Sequence, residues 1–300
     1  MLGIAAPGSQ RSLSFLGDTK TLHEQLQAQN IVKHNILSIT LLDATSGILS
    51  LGGTIADLIT ESKVRAEKEL DHLDRLHTPE EREMMEAEIN SYMDLAIPPG
   101  SSHEDHFKWV EGSNMVAGLH QALASGIWIG GVKVLKNQPV LFDVNCPVIL
   151  APVGAAEAFH EAIPGARRLS SPFVGGDGQA DRLFAVPCSS ELLIEFELAG
   201  WRFPLGKGEV REDAVFGPIG GRLSLGQVDL GSNQSAAESI GTGYCVSIIV
   251  ESTMSKRKEW QSSAMQDIWV LGEPFFRGIG VVFDMGDNEG RGGRIGLRVY

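Results

Sequence analysis

Apolar and polar positions alternate in short runs along most of this chain, and glycine or proline separates one run from the next. Residues 35–42 alternate with a period of two, residues 43–47 make a turn, and residues 48–53 return, which predicts a hairpin. Residues 125–134 alternate around Gly130-Gly131, a second hairpin signal, because paired glycines accept the positive φ of a tight turn. Further strands are expected over 182–186, 191–198, 243–250, 278–284 and 294–300. Glycine-broken strand material is expected over 210–225, a polar loop over 232–241 and a turn over 284–293. Helical spacing is shorter-lived: Leu22, Leu26 and Ile31 mark one helix over 21–31, and residues 155–163 read as another. The most distinctive run is 140–152, where Val140-Leu141-Phe142 leads into a single carboxylate, Asp143, and Val148-Ile149-Leu150 resumes the apolar pattern.

Residues 57–106 break this pattern. They hold 14 acidic and five basic residues, a net of −9 out of −13 for the whole chain. Residues 60–76 and 78–95 read as two charged helices, the second opened by Thr78 as cap, Pro79 in the first helical position and Glu81 three residues after the cap. The segment is expected to be a solvated helical insertion or a partly disordered linker.

Thirty-five glycines, 13 prolines and 43% hydrophobic residues suit a globular, strand-rich protein. The net charge of −13 argues against nucleic acid and against anionic membrane surfaces, both of which select clustered lysine and arginine. No apolar run approaches the roughly 20 residues of a spanning helix. The first residues carry neither a basic flank nor an apolar signal core, so the default expectation is a cytoplasmic protein. Three cysteines cannot all pair with one another. Cys188 and Cys245 sit in strand-like contexts, where a bridge would contribute about 4 kcal/mol in an oxidising compartment and two buried thiols are the alternative.

Three segments in order carry a family resemblance: the Asp143 loop after its apolar strand, Val270-Leu271-Gly272, and the ending Val281-Val282-Phe283-Asp284. Together they resemble the carboxy-terminal lobe of the pepsin-type aspartic peptidases. Residues 1–56 resemble, more loosely, the end of the amino-terminal lobe, with Met1-Leu2-Gly3-Ile4-Ala5 as its crossing segment and Ile48 to Gly53 as the strand ending in Gly-Gly. The resemblance implies an all-β, acid-protease fold divided into a remnant of the amino-terminal lobe (1–56), an acidic helical insertion (57–106) and a nearly complete carboxy-terminal lobe (107–300). It also implies aspartic-type endopeptidase activity on polypeptides without metal or organic cofactor, a disulfide between Cys188 and Cys245, and a secreted or vacuolar location.

Peptidases of this type activate water between two carboxylates that share one proton. By resemblance Asp143 takes the second of the two positions, and the loop carrying the first, with its flap, is expected before Met1. The alternative for Asp143 is a turn residue that accepts backbone hydrogen bonds. The loop also departs from the Asp-Thr/Ser-Gly pattern. Val144 has no hydroxyl to bridge the lobes, Asn145 places a side chain where glycine leaves room for water, and Cys146 is a weaker donor than the hydroxyl residue usual there. The expectation is a pseudopeptidase that binds a polypeptide or apolar small molecule in a half-cleft walled by Asp143, Phe142 and Ile149. The exposed edges of its truncated lobe would call for a partner chain. Two alternatives stand beside it: an endopeptidase whose first catalytic loop lies outside this chain, and a peptidase-like fold turned to non-proteolytic chemistry on a small molecule.

Other candidates carry less. His103-Glu104-Asp105-His106 offers ligand-type side chains without a standard metal spacing. Cys146 is a nucleophile only with a histidine base nearby, and otherwise an inert thiol. Gly175–Gly178 and Gly290–Gly293 lack the lysine and helix of a phosphate loop. Asn233-Gln234-Ser235 is a glycosylation acceptor pattern if the protein is exported.

Overall fold

A computed structural model describes residues 26, 28–29, 31–32, 34–41, 47–54, 78, 106–112, 120–169, 173–174, 180–181, 183–187, 193–205, 244–252, 267–286 and 293–299. Nearly all of the acidic insertion, the segments 210–225 and 232–241, Cys188, Asn233 and most of both glycine-rich motifs therefore lie outside the described residues. Within them the chain is mostly β-sheet, as the alternating pattern predicts.

The strands in chain order begin with β1 (Ile36–Leu41), β2 (Gly47–Leu51), β3 (Lys108–Glu111), β4 (Gln121–Ile129), β5 (Val132–Phe142) and β6 (Ile149–Ala151). After helix α1 (Ala155–Glu161) come β7 (Arg167–Arg168), β8 (Phe173–Val174), β9 (Ala180–Asp181), β10 (Phe184–Pro187), β11 (Ile194–Leu198) and β12 (Trp201–Pro204). The rest are β13 (Tyr244–Val246), β14 (Ile249–Glu251), β15 (Trp269–Leu271), the single-turn helix α2 (Glu273–Phe276), β16 (Ile279–Asp284) and β17 (Arg294–Val299). Among these residues no helix is long and apolar enough to cross a membrane.

A seven-stranded sheet runs in the order β12-β11-β4-β5-β15-β6-β14. Its centre is the long β4–β5 hairpin, which turns on Gly130 and Gly131 with φ of +56° and +83°. Those values are open to glycine, and this is why the Gly-Gly pair was legible as a turn. A five-stranded antiparallel sheet, β2-β1-β16-β17-β3, joins strands from both ends of the chain: Leu37 stands opposite Phe283 and Ile39 opposite Val281. A three-stranded sheet, β13-β10-β7, and a two-stranded one, β8-β9, complete the set.

The main core lies where the seven- and five-stranded sheets meet. Fully buried Trp269 packs edge-on to Phe196 and Phe159 with ring centroids 6.0 and 6.1 Å apart, and Phe275 bridges Phe196 and Phe142 at 5.8 and 5.6 Å. Phe142 reaches Phe283 of the other sheet at 6.3 Å. Burial of each such ring contributes roughly 2–3 kcal/mol, and the edge-to-face contacts add to this. The buried indole is satisfied as well, since Trp269 Nε1 donates to Gln138 Oε1 at 3.0 Å. The opposite face of the seven-stranded sheet is polar over β4, β11, β12 and the start of β5. There Glu197 accepts from Trp128 Nε1 at 2.6 Å and pairs with Lys133 at 2.8 Å, while Arg202 stacks over the Trp128 ring at 3.4 Å.

Several boundaries differ from the sequence pattern. The apolar run 243–250 is not one strand but two, β13 and β14, which belong to different sheets and part at Ser247-Ile248. The helix after β6 ends at Glu161, with Ala162 as its cap, rather than at residue 163. Strand β12 and helix α2 have no separate signal in the alternation, because each is only four residues long.

Candidate functional site

The candidate site forms where β5 ends. Between β5 and its sequence neighbour β6 lies β15, parallel to β5 with Leu271 opposite Phe142, and antiparallel to β6 with Val270 opposite Leu150. The chain from β5 to β6 must therefore loop over the end of a strand that arrives about 120 residues later. Alternate residues of this three-strand unit are buried on opposite faces. Trp269 and Leu271 enter the main core, while Leu141, Ile268 and Val270 form a second apolar cluster with Leu150 and Cys146.

Two backbone hydrogen bonds strap the loop to the crossing strand: Asp143 N–H donates to the Leu271 carbonyl at 3.1 Å, and Glu273 N–H to the Cys146 carbonyl at 2.7 Å. Gly272 sits between them. Its backbone is extended, with φ −86° and ψ −168°, so no unusual dihedral calls for glycine. The requirement is steric. A Cβ at this position would lie far inside van der Waals contact distance of the carbonyl oxygens of Val148 and Cys146. The apolar-apolar-glycine pattern read from the sequence thus corresponds to a backbone crossing with no room for a side chain.

Asp143 lies half-buried just after β5. Its Oδ1 accepts the backbone N–H of Asn145 at 3.0 Å and Asn145 Nδ2 at 3.4 Å, and its carbonyl accepts Cys146 N–H at 3.0 Å. This is an Asx turn, in which the carboxylate replaces a backbone acceptor two residues on. Among the described residues no second carboxylate hydrogen-bonds it. Val144 packs against the main core, and Asn145 is exposed with its amide folded back onto the carboxylate. Burial pushes the Cys146 thiol above its ordinary range; a backbone hydrogen bond at Val148 opposes this, and the negative charge of Asp143 adds to it. The thiol is thereby kept protonated, the opposite of what a nucleophilic cysteine needs.

Phe142 and Ile149, expected to wall a half-cleft, are core residues, 4% and 0% exposed. An apolar run buried on both faces has nothing left to line an opening, so only the loop beyond them, Asn145 and Pro147, faces solvent. Cys245 is buried in β13 and stands opposite Val186, two residues before Cys188. Of the residues 103–106 only His106 is described, and no group of three potential metal-binding side chains occurs among the described residues.

Two histidines here escaped sequence reasoning. The His120 carbonyl accepts Phe142 N–H at 3.0 Å, and its ring stacks on Phe283 at 4.1 Å. His160, on α1, is 3% exposed and lies flat against Phe184 at 3.9 Å. Burial lowers the pKa of each imidazole to about 4. Neither belongs to a motif, and a lone histidine in a mixed segment gives no sequence signal of its contacts.

Comparison with protein-family models and with characterised proteins finds no match.

If the crossing is as tight as its geometry requires, Gly272→Ala will cost about 3 kcal/mol or more in urea unfolding, since the obstructing atoms are backbone carbonyls that cannot swing aside. Tolerance of alanine at this position would mean that the loop and β15 do not cross as described.

Proposed function

We propose that this chain is a proteolytically inactive relative of the pepsin-type aspartic peptidases, in which the Asp143 loop persists as a scaffold presenting a binding surface for a polypeptide or another apolar ligand. The observation that carries the reading is the Asx turn. Hydrolysis of an amide by this chemistry needs a carboxylate free to share a proton with a second one across a water. Asp143 Oδ1 accepts both the backbone N–H and the side-chain amide of Asn145, the residue standing where the family pattern has glycine, so that oxygen is committed to the turn. The departures around it agree with that role. Val144 faces the core rather than a cross-lobe partner, and Cys146 joins an apolar cluster.

The family reading draws its support from local geometry: a strand threaded between two sequence neighbours, with an apolar-apolar-glycine segment crossing beneath an aspartate loop. Within this reading the ligand meets the exposed rim at Asn145 and Pro147, because Phe142 and Ile149 are closed off. A disulfide between Cys188 and Cys245 belongs to the same reading. The antiparallel register of β10 and β13 supports it by setting Cys245 opposite Val186, two residues before Cys188 in the sequence, and Cys146 is a free thiol.

Purified protein incubated with an unfolded substrate across about pH 3 to pH 7 is expected to leave it intact, and Asp143→Ala is expected to change nothing. Cleavage that a transition-state-like peptide inhibitor blocks and Asp143→Ala abolishes would overturn the proposal in favour of an active peptidase. For the disulfide, alkylation of the denatured, unreduced protein is expected to label one of the three cysteines and to label all three after reduction. Three labels without reduction would remove the bridge.

A further inference from the structure

The corner between β13 and β14 is tied to α1 by a buried side-chain hydrogen bond between Ser247 and His160. His160 Nδ1 lies 2.7 Å from the Ala156 carbonyl, an atom that can only accept, so Nδ1 carries the proton and Nε2 is the bare acceptor. Ser247 Oγ, 2.9 Å from Nε2, must then donate to it, and the same oxygen accepts Ile249 N–H at 3.1 Å. Ser247 N–H donates to the Phe184 carbonyl at 2.8 Å, and the Ile248 carbonyl accepts Ile149 N–H at 3.0 Å. Through Ser247 the imidazole holds α1 to the point where the chain leaves the three-stranded sheet for the seven-stranded one.

We propose that the His160–Ser247 hydrogen bond is an acid-sensitive latch that holds α1 against the β13–β14 corner and opens when the imidazole takes up a proton. A proton from solvent on Nε2 converts that atom from acceptor to donor. Ser247 Oγ must then accept from both Nε2–H and Ile249 N–H, and its own hydrogen is left without an acceptor. The imidazolium would also be stranded. The titratable groups on the surrounding elements are Glu157 and Glu161 of α1, Lys133 and Lys136 of β5, Tyr244 of β13, and Glu251 of β14; the nearby strand β7 carries Arg167 and Arg168. None of these hydrogen-bonds the ring, and β6 and β10 contribute no charge. Burial is what lowers the histidine's proton affinity, opposed by the Ala156 carbonyl alone.

The direction follows from linkage. The folded imidazole titrates near 4 and the unfolded one near 6.5, so the stabilising contribution is complete above about pH 6.5 and is lost as the pH falls from there toward 4. Opening bares Ala156 and Phe159, both 0% exposed, and Ile163 at 2%. The latch is independent of whether the protein ever cleaves peptides. His120 titrates in the same range and is the control.

The test is an acid titration of the full chain, followed by binding of an apolar dye and by amide exchange in residues 155–161. In the wild type, dye fluorescence is expected to rise about tenfold between pH 6.5 and pH 4, with loss of α1 protection in the same step. His160→Gln, neutral at every pH and still able to accept from Ser247, moves the midpoint down by about one pH unit or more, whereas His120→Gln leaves the α1 step in place. An unchanged midpoint in His160→Gln overturns the latch. Where that variant does not fold, imidazole resonances of the wild type decide. Protonation of His160 together with loss of α1 protection supports the latch, and protonation with α1 still protected contradicts it.

Discussion

The absence of a side chain at Gly272 is the constraint on which the rest of this architecture depends. Because its Cα passes beneath two carbonyl oxygens, β15 can lie between β5 and β6, and because β15 lies there, Asp143 is held at the lip of a sheet rather than in free loop. The backbone hydrogen bonds from Asp143 to Leu271 and from Glu273 to Cys146 then fix the turn on both sides. Trp269 and Leu271 complete the main core from the same three-residue strand. A fault at this crossing would therefore propagate to the aromatic contacts that join the two large sheets.

On the proposed reading this framework would hold one of two carboxylates around a water; among the described residues it presents Asp143, whose Oδ1 already accepts from Asn145. A short turn with Asn at the second position after Asp satisfies the carboxylate locally, and local satisfaction competes directly with the sharing of a proton across a cleft. The buried histidines point the same way. A protein adapted to work in strong acid gains nothing from imidazoles that must remain neutral to stay in place, and the packing of His160 and His120 favours folding at neutral pH.

Much of the fold was legible because it depends on short-range chemistry. Gly130-Gly131 announced its hairpin, residues 155–161 their helix, and the alternation near both ends gave β1, β2, β16 and β17. What failed depended on contacts distant in sequence. Nothing local in Tyr244-Cys245-Val246-Ser247-Ile248-Ile249-Val250 marks the break between β13 and β14, which follows from Ser247 meeting a histidine 87 residues away. Phe142 and Ile149 were placed in a cleft wall because an apolar strand next to an aspartate suggests one. Their burial follows from β15 lying between them, a fact of topology rather than pattern. Of the site itself, the Asp-x-Asn spacing is a turn signature as well as a degenerate catalytic one, and the turn is what the described residues form.

The most direct test of the role assigned to Asp143 is the unfolding free energy of Asp143→Asn and Asp143→Ala against wild type. A turn residue predicts that asparagine, whose Oδ1 still accepts the Asn145 N–H, stays within about 0.5 kcal/mol, and that alanine loses about 1 kcal/mol. Two variants both more stable than wild type would be the signature of a strained reactive carboxylate and would contradict the account.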